Sequence, residues 1–279
     1  MAFMTVTLVV SDINVDQLAI QAALKLVEQN GGHLDLLCLG IDHTHPGLVA
    51  ASPGMVLPQS NVVQATKAAQ ELEAAIKEQL QPSNVSWASS ALTVHLAGLS
   101  ATLAHQMRFS DLAVFALPYG KGRTRSHEAA LECALFDAGI PVFAVPDDAQ
   151  LQHPIKRIVL AWNDSREALN AVRLALPMMQ MAESVNIVMV APPIHALDRS
   201  DPGGSLAKML SRHGVKAEIS VLAKTMPRVS DVIARHVVDQ NADLLIMGAY
   251  GHSRIRESIL GGATRNILET TQLPLFLAH

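Results

Sequence analysis

Cysteine is scarce in this chain: 279 residues carry two, Cys38 and Cys133, each inside an apolar segment. Thiols so few and so placed read as reduced core residues, which suits a cytosolic compartment. Positive charge is not in excess either, since the formal net charge is -4. Phosphate neutralisation along a nucleic acid needs clustered Lys and Arg, so nucleic-acid binding is not the expected role. The opening "MAFMTVTLVVSD" lacks a basic leader, and its apolar run is too short for a signal peptide or a span. Nothing else approaches transmembrane length, so a soluble, cytoplasmic protein is expected. Gly-x-Ser-x-Gly is missing, and "LGGATRN" lacks the Lys-Ser/Thr pair of a phosphate-binding Walker loop. Cys38, His43 and His45 match no closed zinc spacing, and no metal site is expected.

What the chain does have is apolar material, 49% of residues, and a repeat. "TVTLVVSD" (5 to 12) matches "IKRIVLAWND" (155 to 164), each a strand ending in a polar tip with Asp. Helical patterns follow, "VDQLAIQAALKLVEQNGG" and "SREALNAVRLALPMMQ". In the first, Leu18, Ala22, Leu26 and Val27 recur at helical spacing and Gly31-Gly32 form the stop. Second strands come next, "HLDLLCLGID" and "SVNIVMVAPP". Then "LSATLAHQMRFSDLAVFALPYG" pairs with "VSDVIARHVVDQNADLLIMGAYG", a helix and a strand led by Asp111 or Asp243. Each half closes on an apolar strand, "GIPVFAVP" or "QLPLFLAH". Short apolar strands alternating with helices predict a parallel sheet covered on both faces.

The first half also carries a Pro- and Gly-rich loop and a long amphipathic helix, with Val63, Ala69, Leu72, Ile76 and Leu80 on one stripe. The polar join "PDDAQLQHP" puts the boundary near residue 150, giving domains 1–148 and 153–279.

Glycines mark the candidate site. Gly248 ends an apolar strand, Gly251 follows three residues on, and Gly261-Gly262 precede the short helix predicted in "ATRNILETTQ". Ligands of open parallel sheets sit beyond the carboxyl ends of the strands. A glycine there lets backbone approach a ligand, and a helix N-terminus attracts phosphate. The pattern Gly248-x2-Gly251-x9-Gly261 followed by a small residue resembles the nucleotide-binding signature of the universal stress proteins, and the whole chain resembles two tandem copies. The resemblance implies an α/β fold: two tandem open, mostly parallel five-stranded sheets with helices on both faces, of adenine-nucleotide alpha-hydrolase type.

Carried over by position, the resemblance implies that Met247 and Gly248 lie against the nucleoside. Gly251 and His252 would line the phosphate loop, and Gly261, Gly262, Ala263 and Thr264 would meet the phosphates. Ala161 and Asn163 take the places near adenine and ribose, and Val190 that of a backbone adenine contact. Gly262 stands where the family has Ser or Thr, and Asn163 where it has Asp. Arg254 and Arg256 are further candidates for phosphate contact. The first half has Ala116 near the first glycine position and Glu128 where Gly261 lies, with Ser126 expected to cap its helix.

The expectation is therefore a stress-response or regulatory protein binding one adenine nucleotide, ATP or ADP with or without Mg, through its second domain. The alternatives are a nucleotide-free interaction module of the same fold and a slow ATP hydrolase; no catalytic residue is assigned, Asp164 and Glu257 being the only nearby carboxylates. Neither "VVSDIN" nor "AWNDS" supplies the Ser-Gly-Gly loop of related synthetase-type enzymes. The terminal strands "IPVFAVP" and "LPLFLA" should pair as an intramolecular pseudo-dimer. A homodimer of whole chains and an unknown regulatory protein are further expected partners.

Overall fold

The computed structural model describes residues 3–43, 59–151, 154–192, 201–250 and 262–279. The first half runs β1 (Thr5–Val10), α1 (Gln17–Asn30), β2 (His33–Asp42), α2 (Gln59–Leu80), β3 (Ser86–His95), α3 (Leu99–Met107), β4 (Leu112–Ala116), α4 (Arg125–Phe136) and β5 (Val142–Val145). The second runs β6 (Arg157–Ala161), α5 (Arg166–Leu174), α6 (Leu176–Met181), β7 (Ser184–Val190), α7 (Gly204–Arg212), β8 (Ala217–Leu222), α8 (Val229–Asp239), β9 (Leu244–Gly248), α9 (Ala263–Thr270) and β10 (Leu275–Ala278).

The two five-stranded units are fused. One ten-stranded sheet has the order β3-β2-β1-β4-β5-β10-β9-β6-β7-β8. Pairing is parallel within each half, and antiparallel where β5 meets β10, with Phe143 opposite Phe276. The two apolar closing strands thus cover each other's open edges, which would otherwise template association. Helices α1, α2, α5, α6 and α7 pack on one face of the sheet, and α3, α4, α8 and α9 on the other. Each face's buried cluster draws on both halves, and the Phe3 and Phe276 rings meet across the junction at 6.2 Å.

Local chemistry explains the elements. Ala22, Leu26 and Val27 are buried on α1, and Gly31 at φ 62 supplies the left-handed stop. Asp111 and Asp243 perform one task twice. Asp111 Oδ2 accepts from the Met4 and Thr5 N–H groups, and Asp243 Oδ2 from those of Lys156 and Arg157, at 2.8–2.9 Å. Each carboxylate ties the turn before β4 or β9 to the start of the neighbouring strand. Two expectations are corrected. The helix expected across "SREALNAVRLALPMMQ" breaks into α5 and α6, because Pro177 lacks the N–H that a continuing helix needs. Val63, placed on the buried stripe of α2, is 64% exposed, and the packed stripe starts at Ala65.

Candidate functional site

At the end of β6 the Trp162 N–H bonds the Val188 carbonyl, extending the ladder by one residue. The chain then turns sharply. Asn163 Oδ1 accepts from the Ser165 N–H at 3.2 Å, and Asp164 sits at φ 59, a left-handed conformation that Asp tolerates. Ser165 caps α5 by accepting from Ala168 N–H. Beyond this tip lies a cavity of about 440 Å³ at the carboxyl ends of β6, β7 and β9. Val188, Val190 and Met247 from the strands and Ile233 from α8 make its apolar floor, Asn163 and Asp164 its polar rim, and Ala263 brings the start of α9 to it.

The expected residues divide. Ala161, Asn163, Val190, Met247, Gly248 and Ala263 line this one cavity. Gly251, His252 and Gly261 lie outside the described residues, as do Arg254, Arg256 and Glu257. Thr264 is buried, and its Oγ1 accepts from the Tyr250 N–H at 3.1 Å, fastening α9 to the exit of β9. Neither Gly262 nor Thr264 is among the residues lining the cavity. Gly248 has a reason the sequence did not suggest: a Cβ there would stand 2.4 Å from the Ala168 nitrogen, so its smallness admits the first turn of α5. Sequence reasoning missed Trp162, Val188, Pro202, Gly203, Val229 and Ile233, which also line the cavity. A signal existed for some of them. Val188 shares a strand face with Val190, and Val229 and Ile233 are one helical turn apart.

The first half holds the same place in collapsed form. The strand registers put Val9, Ser11, Leu39, Phe115 and Ala116 where the second half has Ala161, Asn163, Val190, Met247 and Gly248. The space left among them is about 20 Å³, room for about one water. Larger side chains fill it, Val9 for Ala161 and Phe115 for Met247, and polar groups bond one another instead of a ligand. Thr124 N–H donates to His127 Nδ1 at 3.1 Å, so the ring proton lies on Nε2 and is donated to Ser11 Oγ at 3.0 Å. That tautomer cannot activate Ser11 as a nucleophile. Burial holds the His127 pKa below its ordinary value, although Asp16 pulls it the other way. The Asp16 carboxyl accepts from Ser11 and Asp12 N–H, and burial pushes its pKa up. Arg123, its side chain almost wholly buried, is ion-paired with Asp147 and lies 3.6 Å from Asp16.

One first-half expectation is corrected here. Thr124, not Ser126, is the N-cap of α4, because His127 three residues on reaches back to its N–H. Glu128 is engaged by a tyrosine: Tyr119 Oη donates to Glu128 Oε1 at 2.6 Å, and burial and the carboxylate together push the Tyr119 pKa far up. The Arg265 guanidinium of α9 stacks 5.5 Å over the Tyr119 ring, so the first half braces the helix that borders the cavity. The described parts of the metal candidates are Cys38, whose thiol burial pushes up to about 12, and His43; among the described residues no group of three ligating side chains could hold a metal ion.

Residues 154–279 match the model of the universal stress protein family. That match spans the second half of the chain. A universal stress protein of Synechocystis sp. is 38% identical over 72 residues, 26% of this chain and 24% of that one. The chain thus spans about a quarter of the length of this relative. The structure of a universal stress protein from Archaeoglobus fulgidus DSM 4304 superposes with a TM-score of 0.72 at 12% identity, covering 98% of this chain and 95% of that one. A structure from Pseudomonas aeruginosa UCBPP-PA14 matches at 0.60 and 12%, covering 99% and 93%. These likenesses extend the universal stress protein fold over both halves. Among the described residues no helix is long and apolar enough to cross a membrane.

Proposed function

We propose that this protein binds one adenine nucleotide, ATP or ADP, in the cavity of its second half and serves as a cytoplasmic stress-response or regulatory module. The observation that carries the reading is the contrast between the two equivalent places: about 440 Å³ in one half and about 20 Å³ in the other. The larger volume falls within the range of small-molecule sites and has their character, an apolar floor with few polar groups at the rim. A purine fits the floor of Val188, Val190, Ile233 and Met247, with the sugar at Asn163 and the phosphates toward the start of α9, whose N–H groups favour anions. Mg, where present, would arrive with the phosphates, and Asp164 is the described carboxylate that faces it.

Catalysis is slow in this reading. Phosphoryl transfer needs a positioned metal, cationic stabilisation and an oriented nucleophile. Groups that hold ground state and transition state equally do not speed the chemical step. Purified protein should turn over ATP well below about 1 per second, the low end of ordinary enzymes.

The test makes the second half resemble the first. Calorimetry with ATP and ADP should give one site per chain, and Ala161→Val with Met247→Phe should abolish it while circular dichroism stays unchanged. Two sites, or binding untouched by the double change, would overturn the assignment. No binding by the parent protein would favour the nucleotide-free interaction module, which the missing hydroxyl at Gly262 also fits.

A further inference from the structure

The sheet has two ends, and they differ. β3, at one end, shows solvent Ser86, Ala88 and Thr93. β8, at the other, shows Ile219 and Val221, which are 37% and 51% exposed. We propose that β8 is a docking edge for a second copy of this chain, the two β8 strands pairing antiparallel about a twofold axis at Val221 and extending the sheet across both molecules.

The hydrogen bonds with β7 fix which groups are free. Val185 N–H donates to the Lys216 carbonyl and Ala191 N–H to that of Leu222, at 2.9 and 2.8 Å. Even-numbered residues of β8 therefore turn their backbone groups toward β7. Ala217, Ile219 and Val221 turn theirs outward, where they form an unpaired row. An antiparallel partner must set outward groups against outward groups, so odd residues face odd ones.

Three symmetric registers meet that condition near the strand's middle, and charge selects among them. Centred on Ser220, Lys216 would face Lys224. Centred on Ile219, Lys216 would face Leu222 and Glu218 would face Ser220. Centred on Val221, Glu218 of each copy faces Lys224 of the other, which lies two residues past the end of β8. Only this last register pairs opposite charges, and by symmetry it does so twice. Among the described residues neither Glu218 nor Lys224 is in an ion pair within its own chain. Even-numbered pairs are the non-hydrogen-bonded kind, whose side chains approach closely, so sign matters there.

Sedimentation equilibrium of the full chain over a range of concentrations reads this out. The parent should show a monomer–dimer equilibrium weakened by salt. Glu218→Lys and Lys224→Glu should each loosen the dimer at least about tenfold, since each sets two like-charge pairs face to face. An equimolar mixture of the two variants should dimerise again, because a Glu218→Lys chain and a Lys224→Glu chain restore both opposite-sign pairs. The double swap in one chain should dimerise as well. Val221→Pro removes an outward N–H that β7 does not use, and should yield a monomer. A parent that stays monomeric, a dimer indifferent to Glu218→Lys, or a mixture that stays monomeric would each overturn the proposal.

Discussion

An alanine at Gly248 would place its Cβ 2.4 Å from the Ala168 nitrogen and 2.7 Å from the Glu167 carbonyl carbon, both backbone atoms that cannot swing aside. Gly248→Ala should therefore cost about 1–3 kcal/mol of stability by overpacking, read from urea unfolding midpoints. It should also push α5 off β9 and weaken nucleotide binding. His127 allows a second prediction. Burial keeps its folded pKa below 6.5, so the unfolded chain takes up the proton first as pH falls. Its contribution is fully present above pH 6.5 and is lost as pH drops toward the folded value. His236, also depressed by burial, acts in the same direction. Asp16 acts oppositely, because a raised carboxyl contributes stability at low pH that fades as pH rises through the folded value. Unfolding free energy should fall between pH 7 and 5, and His127→Gln should flatten the slope.

At the scale of elements, strand ends and helix starts are clamped by single side chains. Asp243 is nearly buried and takes two backbone N–H groups. Asp243→Ala would leave those donors to poorer partners at a cost of about 1–3 kcal/mol. Hydrogen exchange should speed at the start of β6 more than at the equivalent start of β1. Sequence patterns found the elements whose burial is one-sided or complete: α1 by its stripe, and β1, β4, β9 and β10 by their apolar runs. β3 and β8 were invisible to that reading. Both are sheet ends, so "SWASSALTVH" and "AEISVL" mix exposed and half-buried residues and give no apolar run. The break between α5 and α6 was legible in Pro177 and was overlooked because the apolar spacing continues past it.

Across the whole molecule the β5–β10 pairing makes one sheet of two units. A second half made alone, residues 154–279, would expose β10 with Leu275, Phe276 and Leu277, now fully buried. It should self-associate through that strand, replacing β5 with another β10. A monomeric, well-folded fragment in sedimentation velocity would argue that the junction contributes little. The repeat, the alternation of strand and helix and the glycines of the second half were all determined by the sequence, because hydrophobic period and backbone freedom are local properties. The line between an open site and a filled one was not. Ala161 and Met247 against Val9 and Phe115 are modest differences in a list, and they become a difference of about 440 against about 20 Å³ only when three strands and two helices converge on one point. The same holds for Gly248 and Thr264, whose neighbours Ala168 and Tyr250 lie 80 and 14 residues away in the chain but beside them in space. Volume and proximity are properties of packing, and packing is decided by tertiary structure.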